Sequence, residues 1–185
     1  REYTVEAGRP DTVTAQKLDV IKNLGATRIS INPQTMNNDV LKGIGRRHTA
    51  EDTEKAFILA REHGFDNINT DLIAGLPADT FHSFKETMKR VLALNPESVT
   101  VHSLSMKRSS SLNVNGLFPE AKMGAEAAKM VNFARETLTE NEIFPYYMYR
   151  QSKTVGNLEN VGYAKRGKEC LYNVFTMDET HTVLA

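Results

Sequence analysis

Four polar positions stand where apolar runs of this 185-residue chain end. Glu6 closes the first and is followed by Gly8-Arg9-Pro10. Asn32-Pro33-Gln34 closes the second. Asp71 lies late in the third, before Gly75-Leu76-Pro77, and His102 and Ser105 stand at the end of the fourth. If the four runs are parallel strands, their carboxyl ends converge, and open α/β sheets and barrels hold their ligands at that end. A carboxylate there suits an ammonium group or a ribose diol. The same residues also admit plainer readings. Glu6 could pair with Arg9 in a surface turn, Asp71 could cap the turn into the next helix, and Arg46-Arg47-His48 could be a solvated charge run.

Other chemistry finds less support. The five histidines show no HxxxH or HExxH spacing, which argues against a histidine metal site. Ser109-Ser110-Ser111 lacks the strand-turn-helix setting of a nucleophile elbow and reads as loop. The stretch from Gly162 to Gly167 is too irregular for a phosphate loop. Cys170, the single cysteine, reads as a buried or partly buried small residue.

Alternating elements position the four strand ends. Residues 2–7, 27–32, 67–73 and 98–104 read as strands. Thr14 caps a helix with Leu18, Ile21 and Leu24 on one face, and Gly25 stops it. Residues 37–44 suit a short helix. Thr49 and Asp52 form a capping-box pattern ahead of a helix with Ala56, Leu59 and Ala60 inward, ending at Gly64. Thr80 caps a helix with Phe81, Phe84, Met88 and Val91 on one face, broken at Asn95-Pro96. This alternation predicts right-handed crossovers and a parallel sheet, open or closed into a barrel. After Met106 the rhythm changes. Residues 107–117 read as loop. Residues 119–141 read as a long helix with Met123, Met130, Val131, Ala134 and Leu138 inward, and the tail from Phe144 is aromatic with weak strand signals. The expected division is a barrel portion over residues 1–106 and an extension over residues 107–185.

Composition narrows the function classes. Lys+Arg and Asp+Glu balance at 23 each with no basic block, which argues against nucleic-acid binding. No apolar run is long enough for a membrane span, and one cysteine cannot form an internal disulfide. A cytoplasmic setting is the expectation. The chain opens and closes inside strand-like segments, which predicts an excised fragment whose exposed first strand invites oligomer contacts.

Taken together, Val5-Glu6-Ala7-Gly8-Arg9-Pro10, the stretch from Arg28 through Pro33 and Gln34 to Met36, Leu41-Lys42-Gly43-Ile44-Gly45-Arg46, Ile68-Asn69-Thr70-Asp71-Leu72-Ile73-Ala74-Gly75-Leu76-Pro77 and Leu94-Asn95-Pro96 resemble the radical S-adenosylmethionine (radical SAM) enzymes. Within them, the stretches resemble the oxygen-independent coproporphyrinogen III oxidase (coproporphyrinogen dehydrogenase) group. The tail, from Tyr146 through Arg150 and from Gly156 to Tyr163, is similar to a divergent, oxidase-like branch of that group. The resemblance implies an α/β fold: part of a (β/α)6 partial TIM barrel with parallel strands and outer helices, plus a C-terminal α+β extension. It implies S-adenosylmethionine and a 4Fe-4S cluster held by a CxxxCxxC loop. It also implies radical hydrogen abstraction from a propionate of coproporphyrinogen III, then decarboxylation to a vinyl group in haem biosynthesis. Carried over by residue, Glu6 resembles a contact to one S-adenosylmethionine, Gln34, Arg46 and Asp71 contacts to a second, and Ser105 a further contact. Tyr172 and Asn173 fall where the family places an aromatic-amide pair near substrate. No CxxxCxxC occurs in this chain, so the implied cluster ligands are absent from it, the chain alone is expected to be inactive, and no residue is assigned to catalysis or metal binding. Two relatives compete with the oxidase reading. One is a haem chaperone or haem-trafficking protein, whose tail usually resembles His-Asn-x-x-Tyr-Trp; here Leu171-Tyr172-Asn173 stands and tryptophan is absent. The other is a different radical SAM enzyme, such as one acting on RNA.

Overall fold

A computed structural model describes residues 1–105 and 120–179. The predicted loop at 107–117 with its serine triplet, the predicted helix start at Pro119 and the predicted final strand at 180–185 lie outside the described residues. Six strands form one sheet: β1 (Thr4–Gly8), β2 (Arg28–Ile31), β3 (Ile68–Ala74), β4 (Ser98–Ser103), β5 (Phe144–Tyr149) and β6 (Asn160–Ala164). Their order is β1-β2-β3-β4-β6-β5. The first four are parallel, in register Glu6 to Ser30, Ser30 to Asn69 and Asn69 to Ser98. The tail then adds β6 antiparallel to β4, and β5 antiparallel to β6.

The helices are α1 (Ala15–Asn23), α2 (Asn38–Gly43), α3 (Ala50–Glu62), α4 (Phe81–Ala93), α5 (Glu120–Glu140) and α6 (Leu171–Met177). Their starts follow local hydrogen-bond chemistry. Thr14 and Thr80 accept from the third residue of their helices, and Thr49 and Asp52 close a reciprocal capping box. Gly25 and Gly64 take positive φ just beyond helix ends, a backbone state that costs glycine least. The parallel strands alternate in polarity. One set of side chains faces the helices and forms two cores: Ile29, Ile31 and Ile68 with Leu18, Phe57 and Phe65, and Leu72, Val99, Val101 and Tyr163 with Phe84, Met88, Met130 and Leu138. Burying each large aliphatic there contributes about 1.5–3 kcal/mol. The other set is polar and builds the site.

Beside the sheet, three arginine contacts lock the outer layer. Arg61 pairs with Glu97 at 2.9 Å, and Glu97 also accepts the Ile68 amide at the head of β3. Arg90 on α4 binds both Glu51 and Glu54 on α3. Glu51 responds: hydrogen bonds from Asn38 and Arg90 draw its carboxyl down to about 2.

Candidate functional site: a polar sheet face beneath two tyrosines

A hydrogen-bonded chain of side chains crosses the polar face of the sheet. At its first end, Asn32 Nδ2 donates to Glu6 Oε2 at 3.4 Å, and Ser30 Oγ donates to Asn32 Oδ1 at 2.7 Å. In the centre, Asn69 Nδ2 donates to Ser30 Oγ (3.0 Å) and to Asp71 Oδ1 (2.8 Å), while Asn69 Oδ1 accepts from Ser98 Oγ at 3.0 Å. At the far end, the second oxygen of Asp71 stands 3.7 Å from His102 Nε2, and His102 Nδ1 meets the Tyr149 hydroxyl at 3.4 Å. Arg28 joins from the start of β2 by donating to Ser98 Oγ at 3.1 Å. Period-two alternation puts these residues on one face.

The face floors a cavity of about 480 Å³, within the roughly 300–1,000 Å³ of ordinary ligand pockets. Glu6, Arg28, Asn69, Asp71 and His102 line it from the strands, Tyr147 from β5, and Cys170, Tyr172 and Asn173 from the α6 end. Tyr147 leans over β6 because Gly162 leaves room: a Cβ there would overlap its ring. Tyr147 and Tyr149 stack with ring centroids 6.3 Å apart. Burial pushes both phenols above their ordinary range, so they stay neutral donors. Glu2 pins α6 to the cavity edge. Its carboxylate accepts from the Leu171 amide at 3.0 Å and from Cys170 Sγ at 3.3 Å. Burial raises the Cys170 thiol, which keeps it protonated.

The residues singled out from sequence divide into three groups. Glu6, Asp71, Tyr172 and Asn173 share the cavity. Gln34 lies beside it, its backbone held to β3 by Gln34 N to Asp71 O (3.0 Å) and Ile73 N to Gln34 O (2.9 Å), with φ at 73°. Arg46 and Ser105 do not line it. Arg46 follows α2, half-buried, and Ser105 Oγ donates to the Ser152 carbonyl at 3.1 Å. The plainer readings of the first two carboxylates are not what the fold adopts. Arg9 pairs with Asp11, and Asp71 is held by Asn69. The basic triplet splits: His48 is buried with Nε2 at 3.1 Å from the Pro33 carbonyl, and Arg47 is exposed. Sequence reasoning passed over Arg28, Asn69, Tyr147 and Tyr149. The alternation Arg28, Ser30, Asn32 beside Ser98, Thr100, His102 was the available signal, since apolar partners between them face a core.

A mostly parallel α/β sheet with outer helices, extended by two antiparallel strands, is a partial-barrel fold. The chain belongs to the radical SAM superfamily, whose family model matches residues 2–91. It is 46% identical over 184 residues to the oxygen-independent coproporphyrinogen-III oxidase-like protein HemZ of Bacillus subtilis, a match covering 100% of this chain and 37% of that protein. It is 41% identical over 103 residues to the haem chaperone HemW of the same organism, covering 56% of this chain and 27% of that protein. Its fold matches the coproporphyrinogen III oxidase HemN of Escherichia coli with a TM-score of 0.72 at 23% identity, over 96% of this chain and 38% of that one. The chain thus spans little more than a third of the curated relative it matches along its whole length.

Both family cofactors can be tested against the residues present. The donor set on the polar face, two carboxylates with amides and hydroxyls, fits the ammonium and ribose of S-adenosylmethionine. The cluster does not fit this chain. Cys170 is its one cysteine, and among the described residues no group of three His, Cys, Asp or Glu side chains could hold a metal. No helix among them is long and apolar enough to cross a membrane.

Proposed function

We propose that this chain is the part of an oxygen-independent coproporphyrinogen III oxidase-type enzyme that cradles S-adenosylmethionine and one side of the porphyrinogen. The observation carrying the reading is the continuous network from Glu6 through Asn69 and Asp71 to His102, facing a cavity roofed by tyrosines. Similarity along the whole chain to an oxidase-like protein supports it. When bound and reductively cleaved, S-adenosylmethionine supplies the oxidising power for hydrogen abstraction from a propionate carbon. What remains is this chain's work. Asp71, fixed by Asn69 and backed by His102, offers an aimed acceptor for ribose hydroxyls or an ammonium. Glu6 offers a second, Gln34 stands beside Asp71, and Arg46 and Ser105, which lie outside the cavity, are proposed as further contacts from neighbouring segments. Tyr147, backed by the stacked Tyr149, excludes water over the cavity, and Tyr172 with Asn173 meets the substrate.

Anaerobic incubation of the full-length protein with S-adenosylmethionine, a reductant and coproporphyrinogen III tests this reading. Vinyl product is expected. A haem chaperone is the second reading, favoured by the similarity of the barrel segment to such a protein. Tight haem binding with no vinyl product would establish it instead.

A further inference from the structure

We infer that α4 fixes the proposed cofactor glutamine: Thr87, with Ser83 and Arg90 one turn to either side of it, is a positioning residue for Gln34. The inference rests on the cradle reading above and adds to it the element that holds one of its members.

Gln34 needs holding. It follows the carboxyl end of β2, on the ligand-holding side of the parallel strands, and its φ is 73°. A residue with a side chain is strained in that left-handed region, and such strain persists only where the surroundings dictate the conformation. Here they do so from two sides. β3 binds its backbone, with Gln34 N donating to Asp71 O and Ile73 N donating to Gln34 O. α4 grips the three residues that follow. Thr87 Oγ1 accepts from the Met36 amide at 3.1 Å and shares a hydrogen bond of 3.1 Å with Thr35 Oγ1. Ser83 Oγ accepts from Asn37 Nδ2 at 2.7 Å, and Arg90 Nη1 donates to the Met36 carbonyl at 3.3 Å. Ahead of Gln34, His48 Nε2 meets the Pro33 carbonyl at 3.1 Å. Every residue from Pro33 to Asn37 is thus tied down.

Sequence spacing makes the grip possible. Ser83, Thr87 and Arg90 stand four and three residues apart, which puts them on one line along the helix. That line runs beside the apolar face of Phe84, Met88 and Val91, and Thr87 is only 1% exposed. A hydroxyl so buried is costly unless satisfied, and the partners that satisfy it belong to the Gln34 loop. Thr35 is fully buried as well, and its hydroxyl also accepts the Asn37 amide at 3.3 Å. Removing the Thr87 hydroxyl while keeping its shape leaves the Met36 amide without that acceptor. The loop then loses a contact that opposes the strain at Gln34, and Gln34 is free to leave the conformation in which it stands beside Asp71.

The test measures S-adenosylmethionine affinity of the full-length protein by calorimetry, with thermal melting alongside. Thr87→Val keeps the volume and removes the hydroxyl, whereas Thr87→Ser keeps the hydroxyl and opens a methyl-sized gap. Thr87→Val should weaken binding about three- to tenfold, the worth of one buried hydrogen bond, and add nothing to the loss from Gln34→Ala. Thr87→Ser should bind as wild type even where it melts lower. Wild-type affinity in Thr87→Val, equal losses in Thr87→Val and Thr87→Ser, or a Thr87→Val loss that adds fully to that of Gln34→Ala overturns the inference alone. Unchanged affinity in Gln34→Ala removes Gln34 from the cradle, and the inference falls with that part of the reading. Wild type that binds no S-adenosylmethionine overturns the cradle and the inference together. Should Thr87→Val fail to fold, Ser83→Ala decides: a loss that disappears in the Gln34→Ala background supports the clamp, and wild-type affinity refutes it.

Discussion

At the residue scale the proposed function turns on Asp71. One of its oxygens is satisfied by Asn69 and the other faces His102, with about a fifth of the side chain exposed to the cavity. A carboxylate with one oxygen fixed by an amide is aimed before ligand arrives, which lowers the cost of ordering it on binding. Asp71→Ala in the full-length protein should weaken S-adenosylmethionine about tenfold or more by calorimetry. Unchanged affinity would remove Asp71 from the cradle. On the proposed reading, His102 acts through Asp71 as a positioning residue. His102→Ala should therefore give a smaller loss than Asp71→Ala, and no further loss when combined with it. Additive losses would mean that His102 contacts ligand independently. Asp71 and Glu6 were legible from sequence because a charge ending an apolar run is conspicuous. Arg28 and Asn69 were not, because alternation with apolar residues marks a polar face without showing that the face borders a cavity.

At the element scale, the glycines of the strand ends set how closely helices approach. Gly75 has φ of +82°, and a Cβ there would lie 2.9 Å from the Ala127 Cβ on α5. Gly75→Ala therefore meets both backbone strain and a clash, and should cost about 1–3 kcal/mol in urea denaturation. A loss near zero would mean that α5 can shift freely. The capped helices and the four parallel strands could be read directly, since caps and period-two runs are local signals. The joining of β5 and β6 to the same sheet could not. β6 pairs with β4 across about sixty residues, from Val101 to Val161 and from Ser98 to Ala164, and partners so far apart leave no local trace; β5 reaches the sheet only through β6. Pro145 sits at a register irregularity of β5, an edge strand where a missing amide is tolerated, and this weakens the strand pattern in sequence. Gly162 reads as a strand breaker until Tyr147 is seen to occupy the space above it.

The whole molecule is a sheet with one apolar and one polar face, and buried phenols on both sides contribute to its alkaline response. Tyr163 is 1% exposed within the core, and burial lifts its phenol from an ordinary 10 to about 12. The folded state thus holds the phenolic proton more tightly than the unfolded chain. Its contribution is fully present below about pH 10 and is lost as pH rises through 12. Melting temperature should fall steeply across that window, and Tyr163→Phe should flatten the fall. An unaltered profile would assign the alkaline transition elsewhere.

In the proposed function, cofactor and substrate meet over one polar face. Its most direct test uses coproporphyrinogen III deuterated at the propionate β-carbon, incubated anaerobically with the reduced full-length protein and S-adenosylmethionine. Mass spectrometry of the released 5′-deoxyadenosine reads the outcome. Deuterium in that product, accompanied by vinyl formation, is the predicted result. Release of 5′-deoxyadenosine free of deuterium, with the porphyrinogen intact, would contradict the account.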